Sequence, residues 1–188
     1  SSEFASGPAA DEAGGILTID LSAIEANYKL LSRAAVPAEC AAVVKANGYG
    51  LGLEQVATQL RQTGCTTFFV ADLSEGKRLR KVAPNVTIYI LNGLPPGTGQ
   101  VFADHNLRPV IGSTAELAEW DAFVGGAKWD GGFALHVDTG MNRLGISVEE
   151  AAAIAPRIDL ENHGIELIMS HFVASQFAEN PRNAEQIA

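Results

Sequence analysis

From Ile16 onward, short β-branched runs alternate with amphipathic stretches. A chain patterned this way builds βα units, because a strand buried on both faces belongs to a parallel sheet whose crossovers are helices. The runs that qualify as strands are residues 16–20, 40–44, 67–70, 86–91, 108–111, 133–137 and 165–169. Between them, Leu53, Val56, Ala57 and Leu60 recur at helical spacing, as do Ile24, Tyr28 and Leu31. Each set predicts one buried helical face. Three Ser-x-x-Glu capping boxes mark helix starts at Ser22/Glu25, Ser113/Glu116 and Ser147/Glu150. With residues 16–20 set aside as lying outside the repeating series, the remaining strands suit an open doubly wound sheet. They fall two units short of a (β/α)8 barrel, and the pattern alone leaves both architectures open.

Length and charge narrow the function classes. At 188 residues the chain is one domain, or one and a fraction. Hydrophobic residues at 47% and charged residues at 19% are a globular composition with room for a sizeable core. A net charge of −9 repels phosphate backbones and anionic lipid, so neither nucleic acid nor a membrane surface is an expected partner. Two cysteines, Cys40 and Cys65, form no C-x-x-C pair and suit a reducing compartment. With no secretory pattern at the N-terminus, the expected location is the cytoplasm. Residues 1–15 are rich in Ala, Gly, Ser and Pro and read as a tail, disordered or derived from cloning, outside the fold.

Three segments concentrate chemistry. The first is VVKANGYGLG, residues 43–52, which sets Lys45 at the carboxyl end of an apolar strand, where barrels and doubly wound sheets build their sites. An amine desolvated there is available for Schiff-base chemistry, whereas a lysine that snorkels to solvent has no such role. The glycine spacing is G-x-G-x-G and not the dinucleotide fingerprint G-x-G-x-x-G. The second is HVDTGMNRLG, residues 136–145, in which Asp138, Thr139 and Gly140 suit a tight turn and Arg143 projects from a loop. Its planar fork suits a carboxylate or phenolate, or is simply solvated. The third places His171 just past the strand at 165–169, as a titrating group, a ring against a flat cofactor, or a satisfied core residue. No H-x-H or H-E-x-x-H supports a metal site, and none is expected.

In this order and at these separations, VVKANGYGLG and VDTGMNRLGI (137–146) resemble the lysine and arginine motifs of alanine racemases, and LTIDLSAIEANY (17–28) is similar to that family's opening segment. The resemblance implies a (β/α)8 barrel, incomplete here with about six βα units, that binds pyridoxal 5′-phosphate. Residues 16–188 would be part of the cofactor domain, with the C-terminal β-domain absent. It also implies roles. Lys45 would hold the cofactor and exchange the α-proton on one face of the substrate, and Tyr49 would hydrogen-bond the phosphate. Arg143 would contact the phenolic oxygen and the substrate carboxylate, Met141 would line the pocket, and His171 would pack near the pyridine ring. The expected reaction interconverts L- and D-alanine, supplying D-alanine for peptidoglycan, in a homodimer whose partner subunit contributes a second base from its C-terminal domain. That base has no match in this sequence, so the 188-residue chain alone is expected to have little or no activity. Two positions depart from the family pattern: His136 stands where many members have a lysine modified to a carbamate, and Leu51 where many have histidine. Rival readings are a broad-specificity amino-acid racemase, another enzyme of the same barrel class, or a non-catalytic pyridoxal-phosphate homeostasis protein.

Overall fold

The computed structural model describes residues 8–9, 11–127, 131–157 and 164–188; most of the expected 1–15 tail lies outside them. The strands are β1 (Ala42–Val43), β2 (Thr67–Val70), β3 (Thr87–Ile90), β4 (Arg108–Ile111), β5 (Phe133–Asp138), β6 (Ile146–Ser147) and β7 (Ile165–Met169). The helices are α1 (Leu21–Ala35), α2 (Leu53–Gln62), α3 (Leu73–Val82), α4 (Gly99–His105), α5 (Thr114–Gly126), α6 (Val148–Ile154) and α7 (Pro181–Ile187).

Every pairing is parallel, and the path β1-β2-β3-β4-β5 follows chain order. β7 then pairs along β5, while the two-residue β6 pairs with the last two residues of β5, Val137 and Asp138. A doubly wound sheet reverses its strand order at a switch point. None occurs on this path, so the winding is that of a (β/α)8 barrel, left open between β1 and β7.

Two layers of apolar side chains follow from strand alternation. Phe68, Val70, Ile88, Ile90 and Ile111 point outward and join Leu53, Val56, Ala57 and Leu60 of α2, Leu79 of α3 and Trp120 of α5 in the main core. Phe69, Tyr89, Val110 and Ala134 form a smaller inner cluster, with Leu91, Leu167 and Met169 against it. In that inner layer the Phe69 and Tyr89 rings stack at 5.0 Å between centroids.

Several sequence expectations need correction. Residues 16–20 form no strand; Asp20 instead caps α1, its carboxylate accepting from the Ser22 and Ala23 N–H groups. The Ser22/Glu25 box is therefore not the cap, and Glu25 pairs with Lys29 and Gln59. Ile24 and Tyr28 do face the core, but Leu31 is largely exposed, so the α1 stripe is narrower than its spacing suggests. Residues 40–44 shorten to Ala42–Val43 because the chain turns at once into the Lys45 segment. Ser147/Glu150 is a complete capping box. At Ser113/Glu116 the serine caps α5, but the glutamate accepts from the Ser113 hydroxyl and from the Gly112 and Leu94 N–H groups instead of the Ser113 N–H.

Candidate active site

β1 ends in the segment Lys45–Tyr49, and its backbone is unusual. Ala46, Asn47, Gly48 and Tyr49 have φ of 53°, 55°, 64° and 54°, one turn of left-handed helix. The left-handed conformation costs about 1–2 kcal/mol for each residue that carries a Cβ, so this turn persists only because its surroundings hold it. Internal bonds supply part of the hold: Gly48 N–H to Val44 O and Gly50 N–H to Ala46 O, both 2.9 Å. External bonds supply the rest. Asn47 N–H donates to Glu75 Oε1 at 2.7 Å, while Asn47 Oδ1 accepts from Leu53 N–H at 3.2 Å and Arg78 Nη2 at 2.8 Å.

The turn sets the direction of Lys45. Val43 is in register with Phe69 of the inner cluster, and Lys45 follows two residues on, at the strand's carboxyl end. Lys45 is half-buried and Tyr49 is exposed on the turn's outer rim.

The opposite flank carries the other group. His136 on β5 is in register with Met169 on β7, and both fall on the inner face. His136 is 8% exposed and its Nε2 is buried without a hydrogen-bond partner among the described residues. Burial pushes its pKa down first, nearby Asp138 pulls it back up, and His171 and the Arg143 guanidinium act to lower it. Asp138 is held below the usual carboxylate range, first by the Gly140 N–H and then by the Asn142 N–H, at 2.9 and 3.0 Å. Those bonds shape the turn from which Arg143 projects into solvent, with Met141 half-buried at its base. Gly145 then brings the chain back against β5. With φ of 107°, a Cβ there would meet Asp138 N at 2.9 Å and His136 O at 3.0 Å, so only glycine closes this loop.

Arg143 and Met141 thus lie in the loop after β5 and His171 just past β7, while Lys45 and Tyr49 lie in the segment after β1. Sequence reasoning missed the residues that support both flanks. Glu75, the third residue of α3, and Arg78 hold the Lys45 turn. An acidic residue three positions past the Asp72 cap was the signal for Glu75. On the other flank Gln186 of α7 donates to Thr139 Oγ1 at 3.2 Å and to His171 O at 3.0 Å, tying the loops after β5 and β7 together.

A planar, anionic, aldehyde-bearing cofactor fits this donor set: an amine at a strand end, a buried imidazole nitrogen awaiting a partner, an exposed guanidinium fork and a phenol.

Comparison with known proteins agrees. Residues 19–188 match the family model for the N-terminal domain of alanine racemase. The chain is 47% identical over 175 residues to an alanine racemase of Methylobacterium sp. (strain 4-46), covering 93% of this chain and 48% of that protein. Among solved structures, alanine racemase from Bartonella henselae, with covalently bound pyridoxal phosphate, aligns with a TM-score of 0.83 and 35% identity over 90% of this chain and 50% of its own. The biosynthetic alanine racemase of Pseudomonas aeruginosa aligns with a TM-score of 0.81 and 30% identity, covering 90% and 47%. The chain spans about half the length of these relatives. On the strength of its rim motifs, its sequential parallel winding and these matches, the chain belongs to the alanine racemase family.

Proposed function

We propose that this chain carries the lysine and arginine flanks of a pyridoxal-phosphate site for interconverting L- and D-alanine. The observation that supports the reading is that Lys45 stands at the carboxyl end of β1 and opens a left-handed turn. When bound, the cofactor supplies an electron sink that makes the Cα proton removable.

The chain's own residues bind, orient and move that proton. The Lys45 amine would be the attachment point and, as a free amine, would take a proton from and return one to one face of Cα. The Tyr49 hydroxyl donates to a phosphate oxygen. The Arg143 fork donates to the phenolic oxygen and to the substrate carboxylate, oriented by the turn that Asp138 shapes. Met141 would line the substrate side, and the His171 ring would pack beside the pyridine.

Inverting a stereocentre by proton exchange requires a second base on the opposite face. We assign that base to a partner subunit in a homodimer, so the 188-residue chain by itself is expected to turn over little or no alanine. In this reading the protein works in the cytoplasm and its D-alanine feeds peptidoglycan.

The test is to incubate the chain with pyridoxal phosphate, reduce with borohydride and map the modified lysine by peptide mass. Label confined to Lys45, and abolished by Lys45→Ala, supports the site. Label absent, or scattered over several lysines, overturns it. Turnover by the purified chain would sink the assignment of the second base to a partner.

A further inference from the structure

Glu75 is one of two polar residues buried among the described ones, and the chemistry proposed above gives it no role. Its carboxylate joins two rim segments: Oε1 accepts from Asn47 N–H at 2.7 Å and Oε2 from Ala71 N–H at 2.9 Å, just past β2. On the solvent side, Arg78 donates to Asn47 Oδ1 at 2.8 Å while its fork grips Glu54 at 2.7 and 2.8 Å. Asn47 is therefore bound at its backbone by a buried carboxylate and at its side chain by a guanidinium that is itself anchored. Asn47 lies two residues from Lys45, inside the turn that directs it.

We propose that Glu75 is a positioning residue for Lys45: through the Asn47 N–H it holds the left-handed turn and so fixes the approach of the amine to the cofactor. This inference rests on the reading of Lys45 as the attachment point. A glutamate at an equivalent place in another unit provides the internal control. Glu116, the third residue of α5, accepts from Leu94 N–H at 3.0 Å and Gly112 N–H at 2.9 Å, joining the loops after β3 and β4. It makes the same kind of staple, but at a rim segment that carries no candidate lysine.

Glu75→Gln keeps the shape but leaves one N–H facing an NH2 group, whereas Glu116→Gln does the same away from Lys45. Three quantities are measured on the full chain: amide hydrogen exchange of residues 45–50 without cofactor, the yield of borohydride-trapped pyridoxal phosphate at Lys45, and the circular dichroism of the bound chromophore per trapped cofactor. Losing one buried hydrogen bond predicts about tenfold faster exchange of 45–50 and about tenfold lower trapping in Glu75→Gln. The dichroism per bound cofactor changes too, a signature that lower stability alone does not produce. Glu116→Gln is expected to stay within about twofold in all three. If Glu75→Gln fails to fold, Arg78→Lys takes its place: it loses the fork at the surface and is expected to loosen 45–50 about threefold.

Equal effects of the two glutamate variants, or unchanged dichroism with slower trapping, would reduce Glu75 to a stability element and overturn the proposal. Unchanged exchange of 45–50 in Glu75→Gln, or in Arg78→Lys where that variant is used, overturns it as well. Failure of the functional reading looks different: the wild-type chain is then unlabelled at Lys45 while Glu75→Gln still loosens the turn.

Discussion

The two flanks of the sheet are built differently. From β1 to β4, each strand is followed by a helix that buries residues in the core, and Phe68, Leu79, Phe102, Ile111 and Trp120 are almost inaccessible. Around β6 and β7 the helices α6 and α7 bury no residue, and Ile168 on β7 is 60% exposed where Ile111 on β4 is 0%. The edge of β7 away from β5 has no strand partner among the described residues. Lys45 is therefore held by a packed scaffold with a buried carboxylate behind it. Arg143, by contrast, is held by the local bonds of a single turn. One flank fixes its functional group through tertiary packing, and the other through loop geometry.

The sharpest way to break that contrast is to cut into each flank. Trp120 is 1% exposed and meets the Phe102 and Phe133 rings edge-on at 6.0 and 6.2 Å. Trp120→Ala is expected to cost about 3–5 kcal/mol by denaturant unfolding. Phe177, on the other flank, is 63% exposed, and Phe177→Ala should stay within about 0.5 kcal/mol. Comparable losses would mean that the flanks are equally consolidated.

A smaller effect tests how full the packed flank is. A Cβ on Gly76 of α3 would lie 2.6 Å from Ile90 Cδ1 and 3.1 Å from Leu107 Cδ1. Alanine gains helix propensity there but must displace both side chains, so Gly76→Ala should destabilise by about 1–3 kcal/mol. Stabilisation instead would show slack between α3 and the sheet.

How much of this was legible in the sequence follows the same divide. The α2 face, the strands at 67–70, 108–111 and 165–169, and the Ser147/Glu150 cap could be read directly, because each depends on local periodicity or a local bond. The segments that carry Lys45 and Arg143 stood out because each motif is contiguous. The barrel winding was not decided by the pattern, since strand order is a property of pairings between distant segments. The pairing of Glu75 with Asn47 was illegible for a related reason: the two lie 28 residues apart, and nothing local announces a left-handed turn made largely of residues that carry a Cβ. The reading of residues 16–20 as a strand failed because a β-branched run signals a strand only where a neighbour pairs with it.

His136 lies where the two flanks meet, and pH reaches it. Its pKa is lowered in the folded chain, chiefly by burial, so the unfolded chain binds the extra proton first as pH falls below about 6.5. Its contribution is therefore fully present above that pH and is lost as pH falls through the folded value. One such group gives a slope of at most about 1.4 kcal/mol per pH unit. His136→Gln should flatten the stability profile on the acid side of pH 6.5, as measured by urea midpoints across that range. An unchanged slope would place the titration elsewhere.

The smallest expected difference compares the caps of the two flanks. Asp72 caps α3 by accepting from the Ser74 and Glu75 N–H groups at 2.9 and 3.0 Å, and Asn180 caps α7 by accepting from Arg182 N–H at 3.0 Å. Asp72→Ala should lower global stability by about 1 kcal/mol, because α3 unfolds together with the core it covers. Asn180→Ala should speed amide exchange in residues 181–187 and leave the unfolding midpoint nearly unchanged, because α7 buries no residue and opens locally. The Asp72 carboxyl is held below its ordinary pKa, mainly by the Glu75 N–H, so its contribution is present above about pH 4 and is lost as pH falls through the folded value. Asp72→Asn keeps the cap and removes that acid-side loss. A midpoint shift of equal size in Asp72→Ala and Asn180→Ala would show that α7 unfolds with the packed flank, and that the two flanks act as one cooperative unit despite their unequal burial.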